Sequence, residues 1–156
     1  MVGLLDRETE LLVELGYDIT VLGMLTASPD TDFLRRAHEQ VEATAEQLRL
    51  TGLLRAVRSA AVAEAVGLPA DSRLGELVEV LAEPDADTLR QARLRLVRAL
   101  SSTQEVVDRA SSTLGKRIGA VREALAAVGV DPVGIYGPGG ERADPAGGAQ
   151  LLRRVL

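Results

Sequence analysis

The 156-residue chain has no cysteine, no tryptophan and no asparagine, a single histidine, a single lysine, and only three aromatic residues: Tyr17, Phe33 and Tyr136. Without cysteine there is no disulfide, no thiolate nucleophile and no sulfur-ligated zinc or iron–sulfur site. One histidine, His38, cannot build a multi-histidine metal centre, and no nucleophile-elbow motif signals a serine triad. The chain is therefore not expected to be an enzyme. An excess of positive charge is missing too: 18 Lys+Arg stand against 23 Asp+Glu, for a net charge of −5 and a pI near 5.0. The 17 arginines are spread along the whole length, so no basic patch points to a nucleic acid. Met1 to Asp6 lack the basic start and apolar run of a signal peptide, and no window reaches 18 uninterrupted apolar residues. A cytoplasmic protein without membrane insertion is expected. The run Gly137-Pro138-Gly139-Gly140 has neither a preceding strand nor a following Lys-Ser/Thr, so it is not a phosphate loop, and no cofactor is expected.

Instead the sequence offers narrow aliphatic side chains at helical spacing. The core must come from 25 Leu, 17 Val and 22 Ala. Leu12, Leu15, Ile19 and Leu22 step by threes and fours and predict a helix over roughly residues 4–26. After the Ser28-Pro29-Asp30-Thr31 turn, Leu34, Ala37, Val41, Ala45 and Leu48 predict a second helix. Near Gly52 its stripe slips in phase to Leu50, Leu53/Leu54, Val57 and Ala61, where a bend is expected. Val66-Gly67-Leu68-Pro69 is a stop signal, with Gly67 as the left-handed residue after the helix. A short helix over 73–82 follows. Then Pro84, Asp85 and Asp87 open a stretch that no proline interrupts for 47 residues, in which apolar spacing through Gly129 predicts a helix of about 42 residues, about 63 Å long at about 1.5 Å per residue. The expected fold is all-α: an antiparallel long-helix bundle or coiled coil over 1–130, and a flexible Gly/Pro-rich tail over 131–156.

Single residues carry little chemistry. The acidic pairs Asp6/Glu10, Glu10/Glu14 and Glu76/Glu79 have helix-surface spacing beside arginines and read as a solvated face. His38 reads as a surface or boundary residue. Gly115 and Gly119, each costing about 1 kcal/mol relative to Ala in a helix interior, either admit a close neighbour or keep the helix weak enough to be remodelled.

The order of elements resembles a known family. A long helical pair ends in Ala65-Val66-Gly67-Leu68-Pro69-Ala70-Asp71-Ser72-Arg73-Leu74-Gly75-Glu76-Leu77, a very long helix follows, and Tyr136-Gly137-Pro138-Gly139-Gly140 comes after it. This layout, over roughly residues 4–140, is similar to the FlgN family of flagellar type III export chaperones. The chain departs from the family in having Thr103, Gln104 and Ser111 but no Asn in the last helix, and Ile135 where Thr is usual. The resemblance implies a cytosolic chaperone that binds the C-terminal helices of hook–filament junction (hook-associated) proteins. It would keep them from polymerising prematurely and deliver them to the flagellar export apparatus.

The client stripe is expected at Val106, Val107, Ala110, Leu114, Ile118, Val121 and Leu125, because the longest helix outruns the cover that the first helix could give it. Docking on the export gate is expected at Ile135 and Tyr136, where an aromatic in a Gly/Pro-rich tail is either a partner anchor or a plug folded back on the bundle. The competing reading is a structural coiled-coil protein that self-assembles and has no exported client. A homodimer fits either reading.

Overall fold

In the computed structural model, which describes residues 1–27 and 31–127, four helices follow one another: α1 (Val2–Leu25), α2 (Thr31–Ala65), α3 (Leu74–Val80) and α4 (Asp85–Ala127). There is no strand among the described residues. The expected all-α fold and the order of three long helices and a short one are what the structure shows. The tail over 131–156 lies outside the described residues.

The helix ends follow from local chemistry. At the end of α2, Gly67 adopts φ +77°, the Leu68 N–H donates to the Ala63 carbonyl at 2.8 Å, and the Gly67 N–H donates to the Glu64 carbonyl at 3.1 Å. These two bonds form a Schellman motif and satisfy carbonyls that would otherwise be orphaned. At the start of α3 the Arg73 N–H donates to the Glu76 carboxylate at 3.0 Å, and at the start of α4 the Asp87 N–H donates to Glu83 at 3.1 Å. Both satisfy donors of a helical first turn, where negative charge is also favoured.

The chain divides into two compact units, Met1–Ser112 and Thr113–Leu156. Within the first, side-chain contacts fix how the helices run. Glu8 meets Arg55 and Asp18 meets Thr44, so position numbers rise on α1 as they fall on α2, and the pair is antiparallel. Asp6 meets Arg95 and Leu12 meets Thr103, offsets of 89 and 91 residues, so α4 runs parallel to α1. The short α3 lies in the link that makes this reversal possible. The core of the unit gathers Leu5, Ala63, Leu77, Leu89 and Ala92 from all four helices. Each of its leucines contributes about 2 kcal/mol through burial.

The inward face of α4 is Leu89, Ala92, Ala99 and Thr103, and the small alanines allow α1 to approach. In the second unit, the described part is the end of α4, Thr113–Ala127.

Candidate functional site

The inner surface of α1 and α2 is unexpectedly polar. The Glu8 carboxylate is buried and accepts a 2.7 Å hydrogen bond from Arg55 Nε. The Thr44 hydroxyl donates to Asp18 Oδ2 at 2.7 Å, with both residues buried. A third buried hydroxyl, on Thr103, donates to the Leu12 carbonyl at 2.8 Å. No buried side-chain polar atom among the described residues lacks a partner. Partnered pairs of this kind set helix register, because each ties a fixed position on α1 to a fixed position on α2 or α4.

Apolar groups, by contrast, are found on the outside. The α2 stripe to which the pattern slips at Gly52 lies on the outside: Leu50, Leu53, Leu54 and Val57 are all exposed. This orientation has a steric and electrostatic cause. Gly52, Arg55 and Ser59 take the inward positions, Gly52 because a Cβ there would come within 3.2 Å of Glu8 Oε1, and Arg55 because it must reach the same carboxylate. Helix α2 stays unbroken across Gly52. On α1, Val13, Tyr17 and Met24 form a second exposed row. Val13, Tyr17 and Thr20 face Ala99, Thr103 and Val106 of α4 across an open groove.

The expected client residues separate by unit. In the first, Val106, Val107 and Ala110 are half-buried, and Val106 lines the groove. In the second, Leu114, Ile118 and Val121 are exposed, spaced by four and three along α4. Ile135 and Tyr136 lie outside the described residues, as does the side chain of Leu125. A Cβ added at Gly115 or Gly119 would meet nothing within 4 Å, so neither glycine serves close packing among the described residues.

The surface charges are paired along helix faces, as their spacing implies. Arg7 bonds Glu10, Arg35 bonds Glu39, and His38 Nε2 lies 3.3 Å from Glu42. Arg49 donates two hydrogen bonds to Glu46, at 2.7 and 2.8 Å. These bonds, reinforced by the guanidinium charge, hold the Glu46 carboxyl below its ordinary range and push Arg49 up. No group of three or more acidic or histidine side chains among the described residues could hold a metal ion. None of the described helices is long and apolar enough to cross a membrane.

Sequence periodicity missed Glu8 and Asp18 as interior residues. The available signal was their register: Glu8 falls between Leu5 and Leu12, and Asp18 between Leu15 and Leu22, each on an apolar row. No protein-family model, curated protein or solved structure matches the chain.

Proposed function

We propose that the protein is a helix-binding export chaperone, of the kind implied by its resemblance to the FlgN family. Its clients are the C-terminal amphipathic helices of hook–filament junction proteins, and it hands them to the flagellar export apparatus from the cytoplasm. The observation that carries this reading is the exposed row Leu114, Ile118 and Val121 on α4. Three large aliphatic side chains on one helix face, standing in water, are what a helix-in-groove partner covers through its own i, i+3, i+4, i+7 residues.

The chemistry of the chain suits such a task. The interior hydrogen bonds of Glu8, Asp18 and Thr103 fix the register of the frame from which the exposed row is presented. Two glycines next to the row, Gly115 and Gly119, lower the helical stability of that segment by about 1 kcal/mol each. A client helix that docks there supplies the missing order, and the ordering cost of about 2–5 kcal/mol holds affinity at a level from which release at the gate is feasible.

The test is co-purification from the native host under gentle conditions, followed by peptide competition. Wild-type protein should retain an exported flagellar junction protein, and a peptide of that protein's C-terminal helix should displace it. Leu114→Asp combined with Val121→Asp should abolish retention while helical circular dichroism is preserved. Retention unchanged by the double substitution removes the α4 site. A preparation containing only copies of the chain favours the structural self-assembly reading instead.

A further inference from the structure

The contacts Glu8–Arg55 and Asp18–Thr44 set the alignment of α2 on α1. By that alignment Leu22 faces Val41, Leu15 faces Leu48 and Leu11 faces Gly52. The α2 positions so used, Val41, Thr44, Leu48, Gly52 and Arg55, are all buried or half-buried. Seven residues before each of them stand Leu34, Ala37, Val41, Ala45 and Leu48. This earlier set is the stripe that periodicity picks out, and it is the more apolar of the two. A slide of α2 by one heptad, about 10 Å at about 1.5 Å per residue, would bring it onto α1. Leu22 would then meet Leu34, Leu15 would meet Val41, and Leu11 would meet Ala45, while Ala56 would replace Ala63 in the core cluster. The five residues between Leu25 and Thr31 are long enough for either alignment, since an extended chain reaches about 3.3 Å per residue.

We infer that the two buried polar pairs are a register lock: they select the observed alignment of α1 and α2 over a slid one that aliphatic packing alone would admit. After the slide Leu48 takes the place of Arg55 beside Glu8, and Ala37 takes the place of Thr44 beside Asp18. Both carboxylates lose their donors at positions that are only 4% and 7% exposed. A buried acceptor without its donor bears its full desolvation cost, and a buried charge bears more. Sterics act in the same sense. A Cβ at Gly52 would lie 3.2 Å from Glu8 Oε1, and the slide delivers the Cβ of Ala45 to that place. The nearest basic residues do not compensate. Arg49 and His38 arrive at the places of Ala56 and Ala45, both exposed, where Glu46 and Glu42 of their own helix still engage them.

Apolar packing opposes the slide only at one end of α2, where Val62, Val66 and Leu68 pack on the core cluster and would be drawn off it. Elsewhere along α1 it is balanced, because Leu34 replaces Val41 and Ala45 replaces Gly52, while Val41 replaces Leu48. The bonds of α4, from Thr103 to Leu12 and from Arg95 to Asp6, are made to α1 and leave the position of α2 free. Narrow aliphatic side chains at heptad spacing specify a register weakly, and a polar contact at an interior position is a known device for specifying it at a cost in stability. The lock concerns α1 and α2 alone, and it stands or falls independently of the chaperone reading.

The test moves the lock within the full chain. Arg55→Leu with Leu48→Arg, and Thr44→Ala with Ala37→Thr, put both donors seven residues earlier, where they meet Glu8 and Asp18 only after the slide. A second chain removes the lock through Glu8→Leu, Arg55→Leu, Asp18→Ala and Thr44→Ala. Because the chain lacks cysteine, Leu22→Cys, Leu34→Cys and Val41→Cys can be added to each background, wild type included, to compete for one disulfide under mild oxidation. A 22–41 bond reports the observed alignment and a 22–34 bond the slid one, while positions 34 and 41 lie about 10 Å apart on one helix and cannot bond. The wild type should form 22–41 predominantly. Removing the lock should raise the share of 22–34 by about tenfold or more, and moving it should make 22–34 predominant, with helical circular dichroism retained. An unchanged share of 22–34 in a folded chain without the lock overturns the inference, as does a moved-lock chain that keeps 22–41 predominant. A moved-lock chain that fails to fold overturns it too, because the slid alignment is then not available. If the chain without the lock loses its helicity, the moved-lock chain alone decides, since it keeps the same polar side chains in the interface.

Discussion

Arg55 Nε donates to Glu8 Oε2 at 2.7 Å, yet the two side chains differ sharply in environment: the arginine keeps 31% of its surface in water and the glutamate 6%. The bond therefore joins a charge that can return to solvent to one that cannot. Removing one partner is not equivalent to removing the other. Arg55→Ala leaves a buried carboxylate without its donor and should cost about 2–3 kcal/mol in a urea titration. Glu8→Ala leaves an arginine free to swing outward and should cost at least about 1 kcal/mol less. Equal losses would show that the buried carboxylate is not the costly group.

The Asp18–Thr44 contact makes a companion case without a formal countercharge. Thr44→Val conserves shape and adds apolar surface, so a purely hydrophobic account expects a gain. The hydroxyl it removes is the donor to a buried carboxylate, so we expect a loss of about 1–3 kcal/mol. Chemical denaturation of the single variant decides between the two signs.

Two glycines should respond in opposite directions to the same change. Gly67 sits at φ +77°, where a Cβ is strained, so Gly67→Ala should destabilise the chain by about 1 kcal/mol. A Cβ at Gly16 would meet Thr103 Oγ1 at 3.7 Å and Val106 Cγ2 at 4.0 Å, ordinary contacts inside a regular helix. Gly16→Ala should stabilise by about 0.5–1 kcal/mol. Paired thermal melts read both.

At Gly115 and Gly119 the neighbourhood is open, so replacing both with Ala should meet no steric resistance. Helicity should rise, by about 1 kcal/mol of propensity per site. If the softness of this segment serves client release, the double variant should hold the client longer. Unchanged dissociation kinetics would assign the glycines no part in release.

The parts of the fold legible in the sequence are those written in neighbouring residues. Gly67-Leu68-Pro69 marks the end of α2, and Pro84 with Asp85 and Asp87 marks the start of α4, because turns and first-turn charges act over one or two helical turns. Which side of α2 faces the core was not legible. Periodicity reveals that Leu50, Leu53, Leu54 and Val57 share a face, but the usual assumption that an apolar face turns inward fails when Arg55 must reach Glu8, 47 residues away. That demand is made by another helix and leaves no trace in the local pattern. The exposed row on α4 was legible as a stripe and as a site of incomplete cover. Its half-buried start at Val106, Val107 and Ala110 was not, because the approach of α1 depends on small residues elsewhere on α4, Ala92 and Ala99.

The parallel course of α1 and α4 also bears on how the chain assembles as it leaves the ribosome. Contacts between α1 and α2 close loops of 26 to 47 residues through Asp18–Thr44 and Glu8–Arg55, whereas Leu12 must wait for Thr103, 91 positions later. The entropy of closing a loop grows only slowly with its length, so the delay is set by synthesis rather than by search. The hairpin of the first two helices can thus exist for several seconds with its α4-facing side bare, at about 5–20 residues added per second. During that interval Leu5 and Leu12 lack their last neighbours, and the satisfied polar pairs within the hairpin are what keep its two strands of helix in step.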